Sequence, residues 1–173
     1  MSMPQLKELI GGAVIVPQKT LLAKEEGAEK KRVQIYYDEG EGFSEVNSFF
    51  LAQPYNAAGE MIFELELPST VKQIRIDPAM LPCITTVKEV VLNGEALPIT
   101  EPKFVVVNGR STIDKEQGVV TAAFATADPN IYIRLSDRVK STGNAFSMTM
   151  QTVMLPDEMA KSLEKELRKK IRL

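Results

Sequence analysis

The sequence predicts an all-β protein, an antiparallel β-sandwich of jelly-roll type that ends in a C-terminal amphipathic α-helix. Apolar and polar residues alternate in short runs such as FELEL (63–67) and IYIRL (131–135), which is the period of half-buried strands. Asn-Gly pairs at 93–94 and 108–109 follow β-branched runs and predict two hairpin turns. Strand and helix patterns do not alternate along the sequence, so a parallel α/β sheet is not indicated.

The 173 residues fit one domain with tails. Residues 1–32 are interpreted as an N-terminal extension or linker, with a short helix at PQLKELI, an edge strand at AVIVP and a solvated charge run at KEEGAEKKR. Residues 33–154 are the predicted β-sandwich and residues 155–173 the helix. The apolar stretch LIGGAVIV is far shorter than the roughly 20 residues needed to cross a bilayer.

The stretch VQIYYDEGEGFSE (33–45) predicts the first strand and its turn. Ile35 and Tyr37 should face the core, the glycine-broken DEGEG should turn the chain, and Phe43 should anchor the returning segment. The four acidic residues of DEGEGFSE (38–45) would repel phosphate, and their spacing does not match a calcium-binding EF-hand loop. The loop is therefore predicted to be structural, without a metal.

The segment LPDEMAKSLEKELRKKIRL predicts a helix that begins near Pro156, with acidic residues at its start and basic residues at its end. Met159, Leu163, Leu167 and Ile171 form one apolar stripe, and Glu164–Arg168 and Glu166–Lys170 are expected to pair. We expect the stripe to dock on the sandwich or on a second copy of the chain. Contact of the basic face with a membrane surface is the alternative.

Several classes of chemistry are excluded by composition. The absence of histidine removes histidine-dependent nucleophilic catalysis and the usual mixed zinc sites. Cys83, the only cysteine, has apolar neighbours and is predicted to be a buried core residue, and a single cysteine favours a reducing, cytoplasmic location. We therefore predict that the protein is not an enzyme and takes no cofactor. A carboxylate-dependent glycoside hydrolase or lyase is the alternative, because a facing carboxylate pair is not visible in a sequence.

The charge distribution bears on partners. Residues 161–173 carry six basic and two acidic residues, a net charge of +4, which leaves −6 on the first 160 residues of a chain whose total is −2. An acidic body disfavours nucleic acid as a partner. Aromatic and acidic residues near strand ends are the candidates for contacting a sugar, and we select Tyr36, Asp38, Phe43 and Tyr132.

Three stretches in this order, VQIYYDEGEGFSE, FELELPSTVKQIRIDPAMLPCITTVKEVVLNGEALPI and FATADPNIYIRL, resemble the β-sandwich accessory domains attached to bacterial cell-surface polysaccharide glycosyltransferases, including rhamnan-synthesis-type proteins. The matching positions are Tyr37, Asp38, Gly42, Phe43, Ser44, Arg75, Asp77, Pro78, Phe124, Thr126, Asp128 and Pro129. The resemblance implies that these residues determine the fold. It also implies a non-catalytic module that assists polysaccharide biosynthesis by binding glycan or by docking a glycosyltransferase domain.

Overall fold

The computed structural model describes residues 28–171, so the helix and edge strand predicted within residues 4–17 lie outside the described part of the chain. The strands are β1 (Gln34–Asp38), β2 (Ser48–Phe50), β3 (Glu60–Leu67), β4 (Gln73–Asp77), β5 (Cys83–Leu92), β6 (Glu95–Ala96), β7 (Val105–Val107), β8 (Arg110–Asp114), β9 (Val119–Phe124), β10 (Ile131–Arg134) and β11 (Asn144–Met154). Short 3-10 turns occupy Ala28–Lys31 and Glu45–Asn47, and helix α1 covers Asp157–Ile171.

The strands form two antiparallel sheets. Sheet A has the order β2-β1-β4-β10-β7, and sheet B has the order β3-β11-β5-β9-β8, with β6 paired to β5. Strands that are distant in sequence are neighbours in both sheets: β10 lies between β4 and β7, and β11 between β3 and β5. The predicted all-β sandwich with a C-terminal helix is confirmed.

The core lies between the inner faces of the two sheets. Alternate residues of the strands point inward, as the period of two predicts, and Ile35, Ile76 and Ile131 are fully buried in sheet A. Sheet B contributes Phe63 and Phe146, whose ring centroids lie 6.2 Å apart. The largest fully buried side chains include also Ile74, Ile133, Leu135, Met148 and Met150.

Two sequence predictions about buried residues can be compared with this core. Cys83 is fully buried on β5, and burial raises the pKa of its thiol to about 11, so the prediction of a core cysteine is confirmed. Ile35 faces the core as predicted, and the half-buried Tyr37 packs against it.

The two Asn-Gly pairs behave differently. Asn93 and Gly94 have φ angles of 53° and 83° and connect β5 to β6, which confirms the first hairpin. The second hairpin prediction was wrong, because Asn108 and Gly109 connect β7 of sheet A to β8 of sheet B. Gly109 does not have a positive φ; a Cβ atom there would overlap the carbonyl oxygen of Ala123 on β9. Close backbone approach at the crossing between sheets explains this glycine.

Helix α1 begins at Asp157, one residue later than predicted, and the Pro156 carbonyl accepts a hydrogen bond of 2.9 Å from the Ala160 amide. The predicted pair of Glu164 with Arg168 is present at 3.2 Å. The side chain of Lys170, the predicted partner of Glu166, lies outside the described residues.

The apolar stripe of α1 is only partly covered. Leu163 and Leu167 are half-buried, whereas Met159 is 56% exposed, and the side chain of Ile171 lies outside the described residues. Neither leucine belongs to the apolar core between the sheets, so docking of the stripe on the sandwich, on a second copy or on a membrane surface stays a prediction. Within residues 28–171 no helix is long and apolar enough to cross a membrane.

We expect Gly109→Ala to lower the free energy of unfolding by about 3 kcal/mol, at the upper end for overpacking, because the new methyl group meets backbone that cannot move aside. Gly118→Ala is the control, since Gly118 has a φ of 70° and open space, and strain alone should cost about 1 kcal/mol. Urea denaturation measures both values. A smaller loss for Gly109→Ala than for Gly118→Ala would contradict the proposed close approach.

The α1 stripe can be tested by changing Leu163 and Leu167 together to Asp. If the stripe packs against protein, the double variant should lower the melting temperature or the sedimentation coefficient, because buried leucines are replaced by charges. The control changes Lys161 and Lys165 together to Ala. It lowers the net charge by the same two units as the leucine variant, but at exposed positions. Unchanged melting and sedimentation, together with lost binding to anionic liposomes, would favour membrane contact.

Candidate functional site

A row of side chains crosses the outer face of sheet A. Tyr36 on β1 lies opposite Arg75 on β4, and Arg75 lies opposite Tyr132 on β10. Ser48 on β2 and Val106 on β7 extend the same row to the two edges of the sheet. Because inward and outward residues alternate, all five point away from the core. This row forms the centre of the candidate site.

Tyr36 is nevertheless covered, with only 5% of its surface exposed. The Arg75 guanidinium lies 4.1 Å from the centre of the Tyr36 ring, a cation-π contact. The Tyr36 hydroxyl donates a hydrogen bond of 2.6 Å to the Glu45 carboxylate, which comes from the 3-10 turn before β2. Burial and this hydrogen bond raise the pKa of Tyr36 to about 12. Tyr36 therefore supports Arg75 and has little surface to offer a ligand.

Arg75 is also held from its other side by a carboxylate. Its Nε and Nη2 atoms donate to the two oxygens of Asp77 at 2.8 and 2.7 Å, and this pairing raises the pKa of Arg75. Asn130 donates to Asp77 at 2.9 Å and to Asp128 at 3.2 Å. Asn108 in turn accepts from the Asn130 amide at 2.9 Å. The Arg-x-Asp and Asp-Pro stretches noted in the sequence thus meet in one hydrogen-bonded network.

Asp38 is committed to the turn that follows β1. Its Oδ1 atom accepts hydrogen bonds from the backbone amides of Gly40 and Gly42 at 2.7 and 2.8 Å, and its Oδ2 atom accepts one from Gln73 at 3.0 Å. The hydrogen bond from Gln73, followed by the one from Gly40, lowers the pKa of Asp38. The side chain is buried. Asp38 shapes the loop, and its oxygens are already occupied.

The loop at residues 39–44 folds back over the outer face of sheet A. There the Phe43 ring lies 5.7 Å from the Tyr132 ring, with an angle of 50° between their planes. Both rings are half-buried. Of the four residues selected from the sequence, all lie on this face, but Tyr36 and Asp38 are engaged internally, whereas Phe43 and Tyr132 keep accessible surface.

A depression adjoins Tyr132, between β10 and the loop that leads into β7. It has a volume of about 190 Å³, and we call it the β10 depression. It is lined by Gln73, Lys103, Phe104, Val106, Tyr132 and Arg134. A neighbouring depression of about 240 Å³ shares Lys103, Phe104 and Arg134 with it. Together they extend the aromatic surface of Phe43 and Tyr132.

Sequence reasoning missed five of these lining residues. Alternation in IYIRL marks Arg134 as facing outward, but the order of the strands places it opposite Gln73. Lys103 and Phe104 belong to a loop, where no periodic signal exists. Only the fold brings the loop to the side of β10.

The site offers binding groups more clearly than catalytic ones. Asp77 and Asp128 approach each other around the Asn130 amide, but Asp77 is fixed by two hydrogen bonds from Arg75. Both oxygens of Asp77 therefore already accept hydrogen bonds and are not free to face a substrate, as glycoside cleavage would require. Among residues 28–171 no group of three or more His, Cys, Asp or Glu side chains is arranged to hold a metal ion.

Comparison of the chain with protein-family models, with curated proteins and with solved structures found no match.

The role of Asp38 predicts a pH-dependent effect on stability. Asp38→Asn should lower the free energy of unfolding at pH 7 by about 2 kcal/mol. The neutral side chain accepts weaker hydrogen bonds than the carboxylate does, and its amide nitrogen would replace the oxygen that accepts from Gln73. The pKa of Asp38 is lowered in the folded state, so the wild type loses this contribution as the pH falls below about 4, where the unfolded chain takes up the proton. The difference between wild type and variant should therefore shrink from pH 5 to pH 3.

Urea denaturation at a series of pH values checks this expectation. Asp137→Asn is a suitable control, because Asp137 is exposed in the turn after β10. A difference that stays constant down to pH 3 would contradict a charged Asp38 as the organiser of the turn.

Proposed function

We propose that this chain is a non-catalytic β-sandwich module that assists cell-surface polysaccharide biosynthesis in the cytoplasm by binding glycan on the outer face of sheet A. The observation that carries the proposal is the β10 depression, where aromatic rings and hydrogen-bonding side chains line one concave surface. The sequence resemblance to glycosyltransferase-associated domains supports the biological setting.

The arrangement suits a sugar ring. One face of a pyranose carries C–H groups that stack on aromatic side chains, and Tyr132 provides such a surface. Phe104, whose ring lies under Arg138, adds apolar contact to the lining. The Arg134 guanidinium provides donors for the ring hydroxyls, and Gln73, which donates one N–H to Asp38, keeps its second N–H for the same purpose. A glycan chain that continues past Tyr132 would next meet Phe43.

The network beneath this surface limits the motion of its groups. Asn108 donates a hydrogen bond of 3.0 Å to Asn130, and the Tyr132 hydroxyl lies 3.4 Å from the same amide oxygen. Asn130 itself is buried. Binding groups that are already fixed lose less conformational entropy when a ligand arrives. This organisation favours a binding site over an incidental surface hollow.

Docking of a glycosyltransferase domain is the second candidate function, and the outer face of sheet B favours it. Ile62 on β3 and Val153 on β11 are 63% and 58% exposed. Val153 lies opposite Ile84, which lies opposite Ala123, so an apolar row crosses three strands. Exposed apolar surface of this kind is typical of contact regions between proteins.

The glycoside hydrolase or lyase alternative has weaker support. It requires two carboxylates free to exchange protons across a substrate. Asp77 and Asp128 are the pair on this face, and Asp77 is bound to both Arg75 and Asn130. We therefore favour binding over hydrolysis.

Titration with cell-surface polysaccharide fragments tests glycan binding. Tyr132→Ala and Phe43→Ala should each weaken binding about tenfold, which corresponds to roughly 1.4 kcal/mol for a lost stacking contact. Ile62→Ala on the opposite sheet is the control and should bind as the wild type does, provided that circular dichroism shows all variants folded. No binding by the wild type at millimolar ligand would sink the glycan hypothesis and favour docking of a transferase domain.

A further inference from the structure

We infer that the β10 depression binds an acidic sugar residue, one that carries a carboxylate or a phosphate, between Lys103 and Arg134. This inference rests on the proposed function and names the class of glycan for the same site. It is carried by the charges that line the depression, by the absence of a salt bridge from either cation to another residue in the range 28–171, and by the positions of the two cations in the fold.

The lining contains two cations and no carboxylate: Lys103 and Arg134 stand with Gln73, Tyr132 and apolar groups. Within residues 28–171 neither cation forms a salt bridge. Arg75 on the same face differs, because Asp77 neutralises it. A ligand anion can therefore pair with Lys103 and Arg134 without displacing an internal partner.

The overall charge of the chain makes this local arrangement informative. The first 160 residues carry a net charge of −6, whereas the lining of the β10 depression holds two cations and no carboxylate, so its local charge has the opposite sign. Long-range attraction cannot explain binding of an anion to an acidic body, since exposed charges are screened over about 10 Å in ordinary buffers. Recognition would have to come from these two side chains at close range.

The two cations come from separate parts of the fold. Arg134 lies on β10, opposite Gln73 on β4. Lys103 belongs to the loop before β7 and has a φ of 68°, which is uncommon for a residue with a side chain. A hydrogen bond of 3.1 Å from the Phe104 amide to the Glu101 carbonyl closes the turn around it. The turn fixes the backbone from which the ammonium group projects.

The neighbouring depression differs in charge from the β10 depression, which bears on where the acidic group and the neutral residues of a glycan would bind. That depression is lined in addition by Glu101 and Asp137, whose carboxylates offset two of its three cations, Lys103, Arg134 and Arg138, whereas the β10 depression has no carboxylate to offset its two. Arg138 lies over the Phe104 ring at 5.3 Å, on the same side. The acidic group of the glycan therefore belongs in the β10 depression, and neutral sugar residues fit better beyond it.

The chemistry of the two side chains suits either acidic substituent. A guanidinium presents parallel N–H donors that match the paired oxygens of a carboxylate or phosphate, and an ammonium adds a compact positive charge. Ion pairs between exposed side chains and a ligand are weakened by salt. The preference for an acidic ligand should therefore decline as ionic strength rises.

Isothermal titration with three size-matched probes tests the inference on the full chain. The probes are an oligogalacturonide, its carboxyl-reduced neutral form, and a glycerol phosphate oligomer. At about 0.02 M salt we expect at least one acidic probe to bind roughly tenfold more tightly than the neutral one, and the advantage to disappear near 0.5 M salt. The tighter of the two acidic probes identifies carboxylate or phosphate as the recognised group.

Lys103→Gln should remove this advantage while binding of the neutral probe persists. Arg134→Gln should weaken binding of every probe, because it also removes a donor for sugar hydroxyls, but it should weaken binding of the acidic probe more strongly. Arg110→Gln and Lys115→Gln remove the same charges from exposed positions at and after β8 in sheet B, and they should keep the advantage. Equal binding of neutral and acidic probes by the wild type would overturn the inference and leave glycan binding intact. Loss of the advantage only in the control variants would also overturn it. Absence of binding to every probe would overturn the proposed function together with the inference.

Discussion

The register of β1, β4 and β10 is the constraint on which the rest of sheet A depends. Ile35, Ile76 and Ile131 lie opposite one another and are fully buried, each contributing about 1.5 to 3 kcal/mol of hydrophobic stabilisation. Because side chains alternate, a slip of one residue on any strand would turn its buried isoleucine outward. The same register aligns Tyr36, Arg75 and Tyr132 on the outer face of the sheet. The geometry of the candidate site is thus a direct consequence of core packing.

The outer face of sheet A divides into two regions by how its polar groups are satisfied. Near β1 and β4 the charges are paired internally, as in the contacts of Arg75 with Asp77 and of Asp38 with Gln73. Near β10 the cations face outward beside aromatic rings. The paired region holds the surface in shape, since buried charges without partners would be costly. The region near β10 has the composition expected of a contact surface.

Local patterns predict individual strands better than they predict neighbours. Alternation at Phe146, Met148 and Met150 correctly marks inward positions of β11, because burial depends on a period that the sequence carries. The preference of Asn-Gly for a tight turn is also local. At Asn108, however, the connection depends on which sheet β8 joins, and that is decided by contacts with distant parts of the chain. For the same reason Tyr36 could be selected as an outward aromatic residue, while its cover by Arg75 could not be foreseen. The β10 depression is formed by a strand and a loop that are distant in sequence, so it could not be predicted from local patterns.

The central position of β11 has a consequence for how the chain folds. Sheet B joins β3 to β5 only through β11, the last strand, so β3 has no described strand partner until residues 144–154 are in place. Contacts between such distant segments slow folding, and strands that wait for a partner present open edges on which chains aggregate. Exposed charges on such a strand disfavour pairing with another copy, and Glu64 and Glu66 are exposed on β3. The position of β11 thus makes sheet B depend on contacts between segments far apart in the chain.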